Sequence, residues 1–492
     1  MIFFRIALVC CLFSMEWVAA LAAAPTALEL DPARSTGRPA PLPTAKSRPV
    51  IGLSDAGAGY PSGGVAGDPK PETLEALLTP VLSNKARMLW QIRDGRWPVS
   101  FAMERLCPGG DPDSMFFAAT DMLVRFGARA ECEIVPLLAP GDLARLGKAD
   151  PAADTLGART LALARLAERY DGDGLRDMPE PRGRISAWML ESEWLRLAPE
   201  ALAEETARLA ADAGAIQLGN QSAAIFVALG DVSTGSSPDV FGRIAELASG
   251  PARSQFHGIA AEAILEHPSM EEIAALLDRL RDAARGLPVW LSGIRIGAAF
   301  QEGLPDSAFD GDWTRDRAAA AYVSAAALHA VSLTVGGAVF FDQAPTPEFS
   351  PPLPRFSEPS AADRAGGALA ALLPPFYRAR RQLSGNVWEW IFDYEARPEA
   401  RAVFWDWAAA GAFDSSATME HCCDARADLY RADPLVPGAE PWSAEQTIVA
   451  DKIGLILDLG FSPVFVRNAR YLGDGLDSAP PAEAAPLQRN AP

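Results

Sequence analysis

Ser269-Met270-Glu271-Glu272-Ile273-Ala274-Ala275-Leu276-Leu277-Asp278-Arg279-Leu280 closes a longer run, Asp154 to Gly286, whose reading decides the fold. Ser269 with Glu272 forms a capping box, which satisfies two backbone donors at a helix start. Ile273, Leu277, Leu280 and Ala284 then share one face before Gly286 and Pro288. Earlier in the run the same logic repeats. Leu156, Leu163, Leu166 and Tyr170 fall on one face, and Ile185, Trp188, Met189, Ser192 and Leu195 follow at steps of three and four. Pro199 precedes a stripe of Leu202, Thr206, Leu209 and Ala213. Ser237-Pro238 opens another with Phe241, Ile244, Ala245 and Ala248, stopped by Gly250-Pro251. Phe256, Ile259, Ala260 and Ala263 make a further stripe, ended by His267-Pro268.

Helices this short are marginal alone and must bury their stripes on neighbours. The spacing therefore predicts a mostly α protein. Its first part is a HEAT-like or irregular α-solenoid of short antiparallel helices, followed by a second, smaller helical lobe. No consensus repeats at a fixed period.

The expected organisation places a signal peptide at 1–22, a Pro/Gly-rich linker at 23–71 and the helical array at 72–341. A Pro-rich connection follows at 342–360, the second lobe at 361–472 and a tail at 473–492. In the signal, Arg5 precedes the apolar run Ile6 to Phe13, and Ala20-Leu21-Ala22 is a small-x-small cleavage site. Glu16 within that segment leaves an uncleaved anchor as the competitor. The chain is expected in the periplasm or secreted fraction.

The net charge of −19 on 492 residues excludes nucleic acid and an anionic membrane surface as main partners. The implied partner is another envelope or secreted protein, with membrane contact only through an uncleaved N-terminal segment. Ala318 to Phe341 carries no charge and is long enough to span a membrane, but its Ala, Ser and Gly content favours a buried helix. Val289 to Phe300 likewise reads as a buried helix. In an oxidising compartment Cys107 and Cys132 can pair, whereas the adjacent Cys422 and Cys423 read as packed thiols.

No nucleophile elbow, P-loop, zinc-protease helix or C-x-x-C motif occurs. His257, His267, His329 and His421 are far apart in the chain, and no cofactor is implied. Glu420-His421-Cys422-Cys423-Asp424 is metal-capable by composition, but consecutive helical residues point in different directions, so no metal site is assigned. Asp171-Gly172-Asp173-Gly174 with Asp177, and Asp310-Gly311-Asp312, could chelate calcium; the spacing departs from the calcium loop and favours turns.

Gly385-Asn386-Val387-Trp388-Glu389-Trp390 resembles the core motif of the formylglycine-generating-enzyme family over six residues. The Arg- and Gly-rich segment that accompanies it there is absent, and no role carries over. Read as chemistry, Glu389, Asp393 and Asp406 are crowded by Trp388, Trp390 and Trp405. Aromatic faces with paired carboxylates suit a sugar cleft.

Three readings follow. The first is an exported helical binding or scaffold protein of the cell envelope or secreted fraction, with no catalytic activity assigned. The second is a glycan-active hydrolase or lyase on a helical scaffold, using those carboxylates and rings between 385 and 410. The third is an envelope protein spanning the membrane at 318–341.

Overall fold

The computed structural model describes residues 50–54, 95–100, 115, 117–129, 132–140, 155–179, 183–303, 315–333, 338–342, 369, 376–384, 386–394, 397–406, 408, 416–419, 427–431, 446–448, 455–458 and 463–467. Eight parallel strands close on themselves in sequence order. They are β1 (Val50–Ser54), β2 (Gly95–Ser100), β3 (Cys132–Leu138), β4 (Ala187–Glu191), β5 (Ala224–Ser233), β6 (Gly258–Leu265), β7 (Val289–Ile296) and β8 (Ala338–Asp342). Val50 opposite Ala338 through Ser54 opposite Asp342 seals the barrel between its first and last strands.

Among the described residues a helix lies between each successive pair from β2 to β8. These are α1 (Ala118–Arg129), α2 (Thr155–Arg169), α3 (Leu202–Gly219), α4 (Pro238–Ser249), α5 (Met270–Ala283), α6 (Ala298–Glu302) and α7 (Arg315–Val331). Parallel strands joined by helices in a closed ring define the TIM-barrel architecture.

This corrects the solenoid and the all-α, helical-repeat expectation. The helix signals at 155, 202, 238 and 270 were sound, and Ser269 does accept the Glu272 N–H. What separates those helices is strand. Trp188 and Met189 lie in β4, Ile259, Ala260 and Ala263 in β6, and Val289 to Ile296 forms β7 rather than a helix. A parallel strand wrapped by helices is buried on both faces, so it reads as a continuous apolar run instead of an alternation. In five to eight residues such a run matches helical spacing as well as strand spacing.

The two faces separate cleanly. Val135, Ala187, Met189, Phe226, Ala228, Ala260 and Trp290 form an inner cluster that fills the barrel, with the Phe226 and Trp290 rings stacked at 3.7 Å. Trp188, Leu190, Ile225, Val227, Ile259 and Ala261 point outward into the core shared with the helices. Each fully buried side chain of this size contributes roughly 1.5–3 kcal/mol.

The membrane-span reading is also corrected. Helix α7 ends at Val331, β8 begins at Ala338, and Ala318 to Leu328 pack inside the protein. Among the described residues no helix is long and apolar enough to cross a membrane.

Beyond the barrel, β9 (Phe376–Ser384), β10 (Val387–Tyr394), β11 (Arg397–Trp405), β13 (Ala427–Arg431), β14 (Gln446–Ile448) and β16 (Val464–Arg467) make a six-stranded sheet. Strands β12 (Ser416–Met419) and β15 (Leu455–Asp458) pair separately. Every pairing here is antiparallel, so the second helical lobe is a β unit instead. Its Trp-rich stretch alternates two faces along β10, a period that the density of rings obscured.

Candidate active site at the carboxyl ends of the barrel strands

In a barrel of this kind the loops and strand ends at the carboxyl face carry the chemistry, because there side chains from several strands converge on one mouth. Four strands of this chain bring ionisable groups to that end.

On β4, Ala187 and Met189 face the lumen, and the two-residue period puts Glu191, half-buried, on the same face at the strand's last position. On β6, Ala260 faces inward and so does Glu262, which is 8% exposed. Arg295, near the end of β7, closes an ion pair on Glu262 through both Nε and a terminal nitrogen. Such a two-point fork fixes the orientation of the carboxylate. Asp231 comes from β5, where the register shifts between Ala228 and Asp231 and Gly230 takes φ 81°. The bulge needs that left-handed backbone, which glycine adopts without cost. It sets Asp231 opposite Glu262, half-open to solvent, with the Arg196 guanidinium 3.9 Å away.

The end of β4 is braced from behind. Arg208 on α3 donates to the Glu191 carbonyl at 3.0 Å and grips Glu205 with Nε at 2.6 Å. Its remaining terminal nitrogen reaches Asp212 at 3.0 Å, and Arg159 on α2 closes on the other side of Asp212, with Nε at 2.6 Å. Glu205 in turn accepts the Ser192 hydroxyl at 2.5 Å, and Ser192 Oγ accepts the Trp194 N–H at 3.2 Å. Burial works against the charge on Glu205, but the bonds from Arg208 and Ser192 prevail and hold its carboxyl below the usual range. For Asp212 burial dominates and pushes the carboxyl up despite its two arginines.

The residues singled out from the sequence lie elsewhere. Glu389 is 1% exposed and Trp390 fully buried on β10, and Trp388 sits half-buried with its ring 5.9 Å from that of His329 on α7. Asp406 is buried where the sheet meets the barrel, accepting the Tyr322 hydroxyl at 2.6 Å and the Met270 N–H at 2.7 Å. Asp393 and Trp405 belong to β10 and β11, with side chains outside the described residues. Cys132 opens β3, while Cys107, His421, Cys422 and Cys423 lie outside the described residues. Asp406 is thus held in the joint between the two units, and Glu389 is buried within the appended sheet.

The carboxylates of Asp171, Asp173 and Asp177 do gather within 4.8 Å of one another. They accept the N–H groups of Gly172, Asp173, Gly174 and Leu175, as turn-forming aspartates do.

Glu191, Glu262, Arg295 and Asp231 escaped the sequence reading. Their signal is a lone acid within an apolar run of strand length, as in Ile259-Ala260-Ala261-Glu262-Ala263-Ile264-Leu265. A charge there is expensive unless it faces a wet lumen or a partner.

Fold and rim together define a parallel β/α-barrel protein with an acidic carboxyl-terminal mouth and an appended antiparallel β unit. No protein-family model matches the chain, and no curated protein matches its sequence. Among solved structures it is similar to a glucosidase from Croceicoccus marinus, at 15% identity and TM-score 0.47 over 88% of this chain and 98% of that one. It is similar also to a GH30 endoxylanase from Clostridium papyrosolvens C71, at 10% identity and TM-score 0.48 over 87% and 98% of the two chains. A Paenibacillus polymyxa xyloglucanase from GH family 44 gives 7% identity and TM-score 0.47 over 87% and 97%. The fold stands on the strand register and does not rest on these likenesses.

The reading of the chain as a helical protein-interaction scaffold falls with the solenoid on which it rested. A closed barrel with acids at its mouth replaces the helical surface on which a partner would have docked.

Proposed function

We propose that this chain is a glycan-active hydrolase whose reacting centre lies at the carboxyl ends of β4 to β7. The observation that carries this reading is the pair Glu191 and Glu262. Both lie on the lumen face, Glu191 as the last residue of β4 and Glu262 in the carboxyl half of β6 opposite Asp231, and Glu262 is fixed by the Arg295 fork.

Glycoside hydrolysis needs one carboxyl group that gives a proton and one that stays charged. Arg295 suits Glu262 to the charged role, as base toward water or as nucleophile at the anomeric carbon. Glu191 is then the acid. Its proton goes to the departing glycosidic oxygen as the bond from that oxygen to the anomeric carbon breaks. The water that attacks, directly or after a glycosyl–Glu262 ester, supplies the new hydroxyl and returns a proton, so the sum is one bond cleaved and one water consumed. Asp231, half-open beside Glu262, is placed to accept a hydrogen bond from a sugar hydroxyl.

Reducing-end release from a panel of neutral and acidic polysaccharides tests the reading. The wild-type chain is expected to cleave at least one, and Glu191→Gln and Glu262→Gln to lower that rate by about 10²–10⁴. Glu389→Gln, in the Trp-rich strand, separates this centre from the region the sequence favoured. No hydrolysis by the wild type, or full activity in Glu191→Gln, sinks the proposal.

Export remains part of the proposal, on the signal-like residues 1–22, which lie outside the described residues. Amino-terminal sequencing of protein recovered outside the cytoplasm should begin near Ala23; an intact amino terminus on cytoplasmic protein refutes it.

A further inference from the structure

We infer that Arg208 is a positioning residue, which sets the end of β4 and with it Glu191 through a relay of buried bonds. The inference rests on the proposed role of Glu191.

The argument is one of geometry. Glu191 is the last residue of β4, and Cα–Cβ direction at a strand end is fixed only as well as the peptide that follows. That peptide is held at three points. The Ser192 N–H donates to the Ala228 carbonyl at 2.9 Å, which continues the sheet. The Glu191 carbonyl accepts from Arg208 at 3.0 Å. The Ser192 hydroxyl donates to Glu205, itself clamped by Arg208 Nε at 2.6 Å, and the same oxygen accepts the Trp194 N–H. Two of the three constraints therefore run through one guanidinium.

Its surroundings suit this task. The Arg208 side chain is 17% exposed, Glu205 13% and Asp212 2%, so the fork works largely out of water, where its bonds are stronger. Arg159 supplies a second cation for Asp212, and the Arg208 terminal nitrogen that reaches the Glu191 carbonyl is shared with Glu205. Lysine could not do this, since a single ammonium has no fork to divide among three acceptors. The Trp194 ring extends the brace, its Nε1–H donating to the Arg243 carbonyl on α4 at 2.9 Å.

Hydrogen exchange on the full chain, resolved at the Ser192 and Trp194 amides, tests the relay without any need of turnover. Arg208→Met is expected to raise exchange at both amides by about tenfold or more, a local opening rather than a global one. Arg159→Met removes an equally buried cation from the same cluster but does not touch β4, and should leave those two amides as they are. Arg208→Lys, which keeps the charge, should shift exchange in the same direction if Arg208→Met does not fold. Ser192→Ala should reproduce the effect at Trp194 alone. Unchanged exchange in both Arg208 variants, or an equal rise in Arg159→Met, overturns the inference.

The kinetic arm uses whichever glycan the wild type cleaves. Arg208→Lys should lower kcat by at least about tenfold with KM within about twofold, and should move the alkaline limb of the pH profile that belongs to the general acid. A variant that merely folds less well would scale the profile and leave the limb in place, which also counts against the relay. Should no glycan be cleaved, the proposed function fails by itself, and the exchange comparison still decides whether Arg208 sets the end of β4.

Discussion

Asp406, from the end of the Trp-rich region, accepts the Tyr322 hydroxyl of the barrel helix α7 at 2.6 Å. Its second oxygen accepts the Met270 N–H at 2.7 Å, at the first turn of α5, where an anion meets the positive end of the helix. One carboxylate thus ties two barrel helices to the appended sheet. Burial, and the carboxylate after it, push the Tyr322 hydroxyl far above its ordinary value, so the phenol remains a donor throughout the usable pH range.

Removing that tie should loosen the joint. Asp406→Ala strands two buried donors and is expected to cost about 2–6 kcal/mol, each orphaned group accounting for about 1–3 kcal/mol. Tyr322→Phe keeps the ring against Phe300 and Phe404 and loses only the hydroxyl, which also accepts the Ala408 N–H at 3.2 Å, for about 1–3 kcal/mol. Urea unfolding of the two variants checks the order; equal losses would mean that the Tyr322 bond alone makes the joint and the Met270 bond adds nothing.

Helices α2 and α3 touch most closely at Gly219. A Cβ built there would lie 2.0 Å from the Ala164 carbonyl oxygen, which is backbone and cannot step aside. Gly219→Ala should therefore destabilise by at least about 1–3 kcal/mol, as overpacking does, although alanine is elsewhere the better helix former. A thermal melt in which this variant matches or exceeds the wild type would contradict the close approach.

His257 gives the barrel a pH-dependent element. Its Nδ1 accepts the Ile225 N–H at 3.0 Å, which requires the unprotonated ring, and burial lowers its pKa from 6.5. A histidine depressed in the folded state contributes stability above its unfolded pKa and loses it as pH falls through the folded value. The melting temperature should accordingly fall as pH drops below about 6.5. In His257→Asn, where an amide oxygen can take the same bond, that component should vanish; an unaltered pH dependence would assign it to other groups.

The inner stack offers a further check on the barrel itself. Trp290→Ala removes the ring lying on Phe226 and leaves a cavity, for about 3–5 kcal/mol. Chemical denaturation of this variant measures the loss, and a cost under about 1 kcal/mol would contradict the buried stack.

The amino-acid sequence by itself determined the helices at 155–169, 202–219, 238–249 and 270–283, because caps, prolines and 3.6-residue stripes are local instructions. It also determined that acids and aromatic rings crowd together between 385 and 410. It could not determine what the apolar runs between the helices become. Ala187-Trp188-Met189-Leu190 and Ile259-Ala260-Ala261 carry no period, since a parallel strand inside a ring of helices is covered on both faces. Only closure of the barrel, with Val50 paired to Ala338 across most of the chain, made them strands. The same closure decided the site. Glu191, Asp231, Glu262 and Arg295 are spread over a hundred residues, and nothing local relates them; they meet because consecutive parallel strands all end at one mouth. Glu389 and Asp406 are close in sequence and conspicuous, yet folding buries both, and packing of the sheet on α5 and α7 makes Asp406 a tie between the two units. Local order is written in neighbouring residues, whereas a site assembled from strand ends exists only once distant segments share a register.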